Sequence, residues 1–155
     1  MRNCVALCLF LLMLGITSCE KDGLQIQPIN LETEGVSLKN QYNICSFWGN
    51  ISSSENCLTF TVFGKNAEYG QLTEFCVGDT RYEYNEIYQF EVNNYKDNES
   101  LLSGDWGKIE LINLNPYTIR IKVLKNTLLN KRVFKLTFGG GNIVSWVTIT
   151  QDTNF

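Results

Sequence analysis

The chain predicts an all-β fold, an antiparallel sandwich of seven or eight strands, preceded by a short signal-peptide helix that stands apart from it. Three observations carry this. In residues 104–151, Ile119, Ile121 and Val123 share one face while Arg120 and Lys122 take the other. The same alternation returns in Phe134, Leu136 and Phe138, set against Val133, Lys135 and Thr137. A period of two marks a strand with one buried face. Second, Gly139-Gly140-Gly141-Asn142 separates two alternating runs and supplies the positive-φ residues of a hairpin loop, which makes those strands antiparallel neighbours. Third, the 155 residues hold 9 Phe, 7 Tyr and 3 Trp but 2 Pro, with no long run of apolar positions spaced three and four.

At the N-terminus, Met1-Arg2-Asn3 carries one positive charge ahead of an apolar run, residues 5–14. Roughly ten residues are too few to cross a ~30 Å hydrocarbon core as a helix. The junction Leu14-Gly15-Ile16-Thr17-Ser18-Cys19 places small residues before a cysteine and resembles the lipobox of bacterial lipoproteins. That resemblance implies cleavage before Cys19 and a diacylglycerol on its thiol. Residues 1–18 are then a signal peptide, 19–23 a lipidated tether and 24–155 a single domain. Two or three acyl chains make such an anchor effectively permanent. The acids in Glu20-Lys21-Asp22 resemble in part an export signal of Bacteroidetes surface lipoproteins, interrupted here by Lys21. The expected location is the cell envelope, at the outer membrane, with surface display a further step.

Removing Arg2 with the signal leaves 12 basic against 16 acidic side chains, a net of −4. A mildly acidic body without a basic cluster argues against nucleic acid, whose phosphates demand a basic face. Its size suits one domain with a real core, and no repeat or low-complexity linker divides it.

The strands follow in order. Residues 24–29 alternate and predict an edge strand, to which Pro28 confines them. Residues 31–43 are polar and irregular, with a short strand expected at Val36-Ser37-Leu38. Ile44-Cys45-Ser46-Phe47-Trp48 is an apolar patch before a turn-rich stretch, 49–56. Residues 57–63 read as a strand with Leu58, Phe60 and Val62 opposite Thr59 and Thr61; residues 71–77 read as another. Residues 87–95 alternate Tyr88, Phe90 and Val92 against polar neighbours, and a charged loop follows to 104. The expected core joins Phe60, Phe90, Trp106, Ile119, Ile121, Phe134, Leu136, Val147 and Ile149.

With the signal and anchor cysteines set aside, Cys45, Cys57 and Cys76 remain. An oxidising envelope permits a disulfide, and three cysteines allow three pairings with one thiol left over. Cys57 and Cys76 fall in strands expected to be neighbours. Cys45–Cys57 is the first choice, as a staple for a stretch poor in regular pairing, against the alternative of small buried hydrophobes.

There is no His, which removes Ser-His-Asp and Cys-His nucleophile systems and the commonest zinc ligand. No CxxC spacing occurs, so no metal or cofactor is expected. Glu83, Glu86, Glu91, Asp97, Glu99 and Asp105 cluster in sequence but read as a solvated face rather than a glycosidase pair. Gly139 to Gly141 lie between strands, not ahead of a helix, so they are no phosphate loop.

Aromatic residues offer the binding candidate. Arg81-Tyr82-Glu83-Tyr84-Asn85-Glu86 places Tyr82 and Tyr84 on one side of an extended segment beside acids and an amide. Aromatic faces hold sugar C–H surfaces while Arg, Asn and carboxylates satisfy hydroxyls. The expected site joins Tyr82 and Tyr84 to Trp48, taken as a loop residue, with Arg81 and Asn85 as polar partners. Trp106 and Trp146 are expected to pack in the core or on a sheet face.

The last third of the chain also carries a family resemblance. Trp106, Ile119, Ile121, Val123, Asn126, Arg132, Leu136, Val147, Ile149 and Gln151 together resemble the C-terminal half of BACON domains. Cys57-Leu58-Thr59-Phe60-Thr61-Val62 is similar to that family's early strand, with longer loops between. The resemblance implies an immunoglobulin-like β-sandwich of a Bacteroidetes cell-envelope protein. It implies a non-catalytic module that binds a glycan or an envelope or host protein. The alternative is a structural or assembly component holding a partner lipoprotein. An exposed aromatic face favours the first and a bare edge strand the second.

Overall fold

The structure is a computed structural model that describes residues 25–41, 43–83 and 100–154. Among these, eleven strands form two sheets. They are β1 (Asn30–Glu34), β2 (Lys39–Asn40), β3 (Ser46–Ile51), β4 (Asn56–Phe63), β5 (Leu72–Val77), β6 (Thr80–Glu83), β7 (Ser100–Gly104), β8 (Gly107–Leu114), β9 (Tyr117–Val123), β10 (Arg132–Gly140) and β11 (Ile143–Gln151). One sheet runs β1-β4-β9-β8-β7 and the other β2-β3-β11-β10-β5-β6. Every pairing is antiparallel except β3 with β11.

The all-β sandwich is as the alternation predicts, though with eleven strands among the described residues in place of seven or eight, and its inner faces carry the residues the period of two puts there. Ile119, Ile121 and Val123 are buried while Lys122 between them is exposed; Phe134, Leu136 and Phe138 are buried around an exposed Lys135. Phe60, Trp106, Val147 and Ile149 complete the expected core, and Phe90 lies outside the described residues. At its centre Phe75 contacts Trp106, ring centroids 4.8 Å apart, and Phe134 lies 6.2 Å from Phe75 and 6.1 Å from Trp106. The β10–β11 hairpin closes at Gly141, whose φ of +60° suits the first loop position of a primed turn.

The first third departs from the sequence reading. The edge strand expected at 24–29 begins at Asn30 instead, and Gln27 makes a single parallel bridge with Ile143. Residues 36–38 lie between β1 and β2 rather than in a strand, and β3 runs through Gly49 and Asn50, which read as turn formers. These strands are set by distant partners, β4 and β11, that no local pattern announces. The strand expected at 87–95 lies outside the described residues.

The strand directions give the sandwich two distinct ends. The chain comes in beside the β10–β11 turn, where Gln27 N–H donates to the Asn142 carbonyl at 2.7 Å. The β4–β5 connection (residues 64–71) and the Asn115-Pro116 turn share this near end, because Phe63 pairs with Asn30 and Leu114 with Tyr117. The far end carries the loops at 52–55, 78–79, 105–106 and 124–131.

On the outer side of the five-stranded sheet, Glu110 is buried between Lys108 at 2.6 Å and Lys122 at 3.0 Å. Burial opposes ionisation of this carboxyl, but the hydrogen bonds and charges of the two lysines outweigh it and hold Glu110 below the ordinary glutamate range. Because the folded value is the lower one, the stabilisation is fully present at neutral pH. It is lost as pH falls from the ordinary glutamate range through the folded value. Glu110→Gln should therefore flatten the acid limb of stability between those two values; urea midpoints measured from pH 7 to pH 2 check this.

Candidate functional site

The candidate site is the outer face of the six-stranded sheet, built from two rows of side chains one pleat apart. The registers align Ser46, Trp146, Thr137, Glu74 and Glu83 in one cross-strand row. The next row is Lys39, Trp48, Thr148, Lys135, Cys76 and Arg81. From β3 to β6 the rows span roughly 19 Å, at about 4.8 Å per strand. Trp146 is 38% exposed although its neighbours Ser145 and Val147 are buried, so its indole stands on the solvent side of β11. Trp48, one strand over, is half-buried, with the Lys39 ammonium 5.3 Å from its ring centroid.

Beyond the tryptophans the face turns polar. Arg81 reaches back from β6 to Glu74, its Nε 2.6 Å from Oε1, and its Nη1 lies 3.4 Å from the Glu83 carboxylate. The Thr137 hydroxyl donates to the other Glu74 oxygen at 3.3 Å. Together Thr73, Glu74, Arg81, Glu83, Thr137 and Trp146 line a shallow groove of about 400 Å³, whose end is open backbone at Gly140 and Gly141. One indole wall, two carboxylates, a guanidinium and two hydroxyls converge there. That combination offers apolar stacking and bidentate polar contacts to a ligand rich in hydroxyls. A larger hollow of about 530 Å³ lies at the far end, among Cys57, Gly104, Gly107, Lys108, Lys122 and Leu124. Glu55, Asn56 and Ser103 also line it, but no aromatic side chain does, so it lacks the stacking wall that Trp146 gives the groove.

The sequence-predicted residues separate. Arg81 and Trp48 do lie on this one face, but Trp48 is a strand residue of β3, not a loop residue. Tyr82 points the other way: half-buried, it packs on the core with its ring centroid 6.1 Å from Phe75. It sits opposite Phe75 in the β5–β6 register, and that parity turns Arg81 and Glu83 outward. The Tyr82–Tyr84 platform is thus not built on Tyr82; Tyr84 and Asn85 lie outside the described residues, as does the lipid-attachment candidate Cys19. Trp146, expected to pack in the core or on a sheet face, is the more exposed of the two tryptophans on this face.

The Cys45–Cys57 disulfide is not formed; Cys45, Cys57 and Cys76 are all free. Cys45 precedes β3 and Cys57 follows the turn at its other end, so about six residues of strand, roughly 20 Å, separate them. A disulfide needs Cα atoms about 4.4–6.8 Å apart. Nor are Cys57 and Cys76 neighbours, since β4 and β5 belong to different sheets. Burial raises the pKa of the Cys45 thiol, and burial together with the Glu74 carboxylate raises that of Cys76, which makes both poor nucleophiles. No cluster of His, Cys, Asp or Glu with metal-binding geometry occurs among the described residues.

No family model and no curated protein matches this chain. Among solved structures it is similar to an NMR structure of a protein from Bacteroides thetaiotaomicron, with a TM-score of 0.51 and 13% identity. The match covers 87% of this chain and 94% of that one. At that identity the likeness speaks for the fold alone.

Proposed function

We propose that this chain is a non-catalytic lipoprotein of the cell envelope whose sandwich binds a glycan across the outer face of the six-stranded sheet. The observation that carries the reading is the exposed indole of Trp146 in one row with Thr137, Glu74 and Glu83, beside the row of Trp48 and Arg81. Sugars need both an aromatic face and fixed polar partners, and the Arg81–Glu74 pair is already held in place by Thr137. The resemblance of the last third to BACON domains points the same way. One guanidinium engages both glutamates of the groove, an arrangement suited to recognising hydroxyls rather than to dividing acid and base roles between two carboxylates. Strand addition, the route open to an assembly component, is discouraged at three edges. β2 has two residues, β1 carries Glu32 and Glu34, and β6 carries Arg81 and Glu83.

The test is a glycan-array screen of the lipid-free mature chain, followed by titration of the best ligand. Trp146→Ala should weaken binding at least about tenfold, about 1.4 kcal/mol, while leaving the melting temperature nearly unchanged. An equal loss of stability and binding would show that packing had been mistaken for recognition. Attachment has its own test. Cys19→Ala should abolish palmitate labelling and release the protein from membranes, and unchanged fractionation would refute the anchor.

A further inference from the structure

The exposed apolar side chains of the described residues are not scattered. Of nine large ones, Ile26, Phe63, Tyr69 and Leu114 all lie at the near end, at 49%, 48%, 55% and 45% exposure. They come from four separate segments: the incoming chain, the end of β4, the 3-10 turn Ala67–Tyr69 and the end of β8. Among the described loops of this end, residues 64–71, 115–116 and 141–142, there is one base, Lys65, and one acid, Glu68. This is also the end at which the chain enters the sandwich. Cys19 precedes Gln25 by six residues, a reach of at most about 21 Å at ~3.5 Å per residue.

We infer that the near end of the sandwich rests on the lipid surface to which Cys19 is anchored, with Ile26, Phe63, Tyr69 and Leu114 seated at the boundary of headgroups and acyl chains. The inference rests on the lipoprotein reading for the anchor and on the structure for the contact. Two aromatic rings, one of them a phenol, and two aliphatic side chains beside described loops of balanced charge fit that boundary, where one part of a residue is apolar and the rest wet. The tether chooses between the two ends. Leu124, Leu128 and Leu129 form a second apolar patch at the far end, at 46%, 55% and 78% exposure. Standing on that patch would lift Gln25 by the length of β10, nine residues or about 30 Å, beyond the reach of the tether. Seated on its near end, the domain holds its strands upright and the Trp48–Trp146 face to the side, with the Gly140–Gly141 end of the groove toward the bilayer and the Trp48–Arg81 row farther from it.

The test uses the full chain, processed in cells and reconstituted into vesicles of phosphatidylethanolamine and phosphatidylglycerol that carry a phospholipid with a diazirine near the glycerol backbone. After photolysis, peptide mapping by mass spectrometry should find label on residues 63–71 and 114–117, several-fold above that on 124–131. The more exposed Leu129 serves as the internal control. A variant combining Phe63→Ser, Tyr69→Ser and Leu114→Ser should lose most of that label; the wild-type map decides the question even if this variant folds poorly. Label mainly on 124–131, or none on the near end with Cys19 acylated, overturns the contact. The same spectra report acylation of Cys19. An unacylated Cys19 with a labelled near end overturns the anchor and keeps the contact, whereas neither signal overturns both.

Discussion

Phe134→Ala should lower the unfolding free energy by about 3–5 kcal/mol, a large share of the roughly 5–15 kcal/mol that a domain has in total. Phe134 is 1% exposed and sits in β10 between Ile149 of β11 and Val77 of β5. Its ring meets Phe75 within its own sheet and Trp106, which reaches the core from the β7–β8 turn of the facing sheet. A cavity there is walled by strands paired on both sides, so the surroundings cannot collapse to fill it, and the cost belongs at the upper part of the range. Urea unfolding followed by near-ultraviolet circular dichroism gives the value. A loss below about 1 kcal/mol would mean that the two sheets are not held together through this cluster.

The contrast with Trp146 shows what could be read from the sequence. Val147 and Ile149 were legible as inward residues from their alternation, and the same parity sends Trp146 outward. Of the two places expected for Trp146, core or sheet face, that parity selects the sheet face. Trp48 is a different case. Its facing depends on the parallel pairing of β3 with β11, roughly a hundred positions apart in the chain, and no pattern in residues 44–51 encodes that partner. The facing of Tyr82 depends on the hairpin turning at Gly78-Asp79, which brings it opposite the buried Phe75 and leaves Arg81 to meet Glu74.

The polar residues of the family resemblance gain a physical role that spacing alone did not give. Asn126 and Gln151 are fully buried. Gln151 donates to the carbonyls of Ser54 and Leu124 at 3.1 and 3.0 Å and accepts from Arg132 at 3.1 Å. Asn126 donates to the carbonyls of Asn130 and Asp152 and accepts from Leu128 N–H. These side chains tie the 52–55 and 124–131 loops to the last strand at the far end, adding to the backbone bond from Asn126 N–H to the Ser53 carbonyl at 2.8 Å. A strand-and-turn reading finds the strands; it does not find side chains that supplement backbone pairing.

The second large effect is expected at Gly107. This residue opens β8 with φ of +135°, a region that L side chains rarely adopt, opposite Val123 of β9. A Cβ added there would fall on the Lys122 carbonyl, which belongs to the central strand β9 and cannot retreat without parting β9 from β4. Backbone strain of about 1–3 kcal/mol and overpacking of similar size act together, so Gly107→Ala should cost about 4 kcal/mol. The damage should be visible locally, because Trp106 is buried against Phe75 immediately before this residue and is positioned by the turn. Gly140→Ala is the matched control: a Cβ there meets nothing within 4 Å, and the residue lies in the hairpin end of β10. Urea midpoints of the two variants should differ by nearly the whole effect, with a changed near-ultraviolet tryptophan signal in Gly107→Ala alone. If the two variants prove equally stable, β8 and β9 can shift past one another at this turn, and the register that aligns Lys108, Glu110 and Lys122 on the outer face is not rigid.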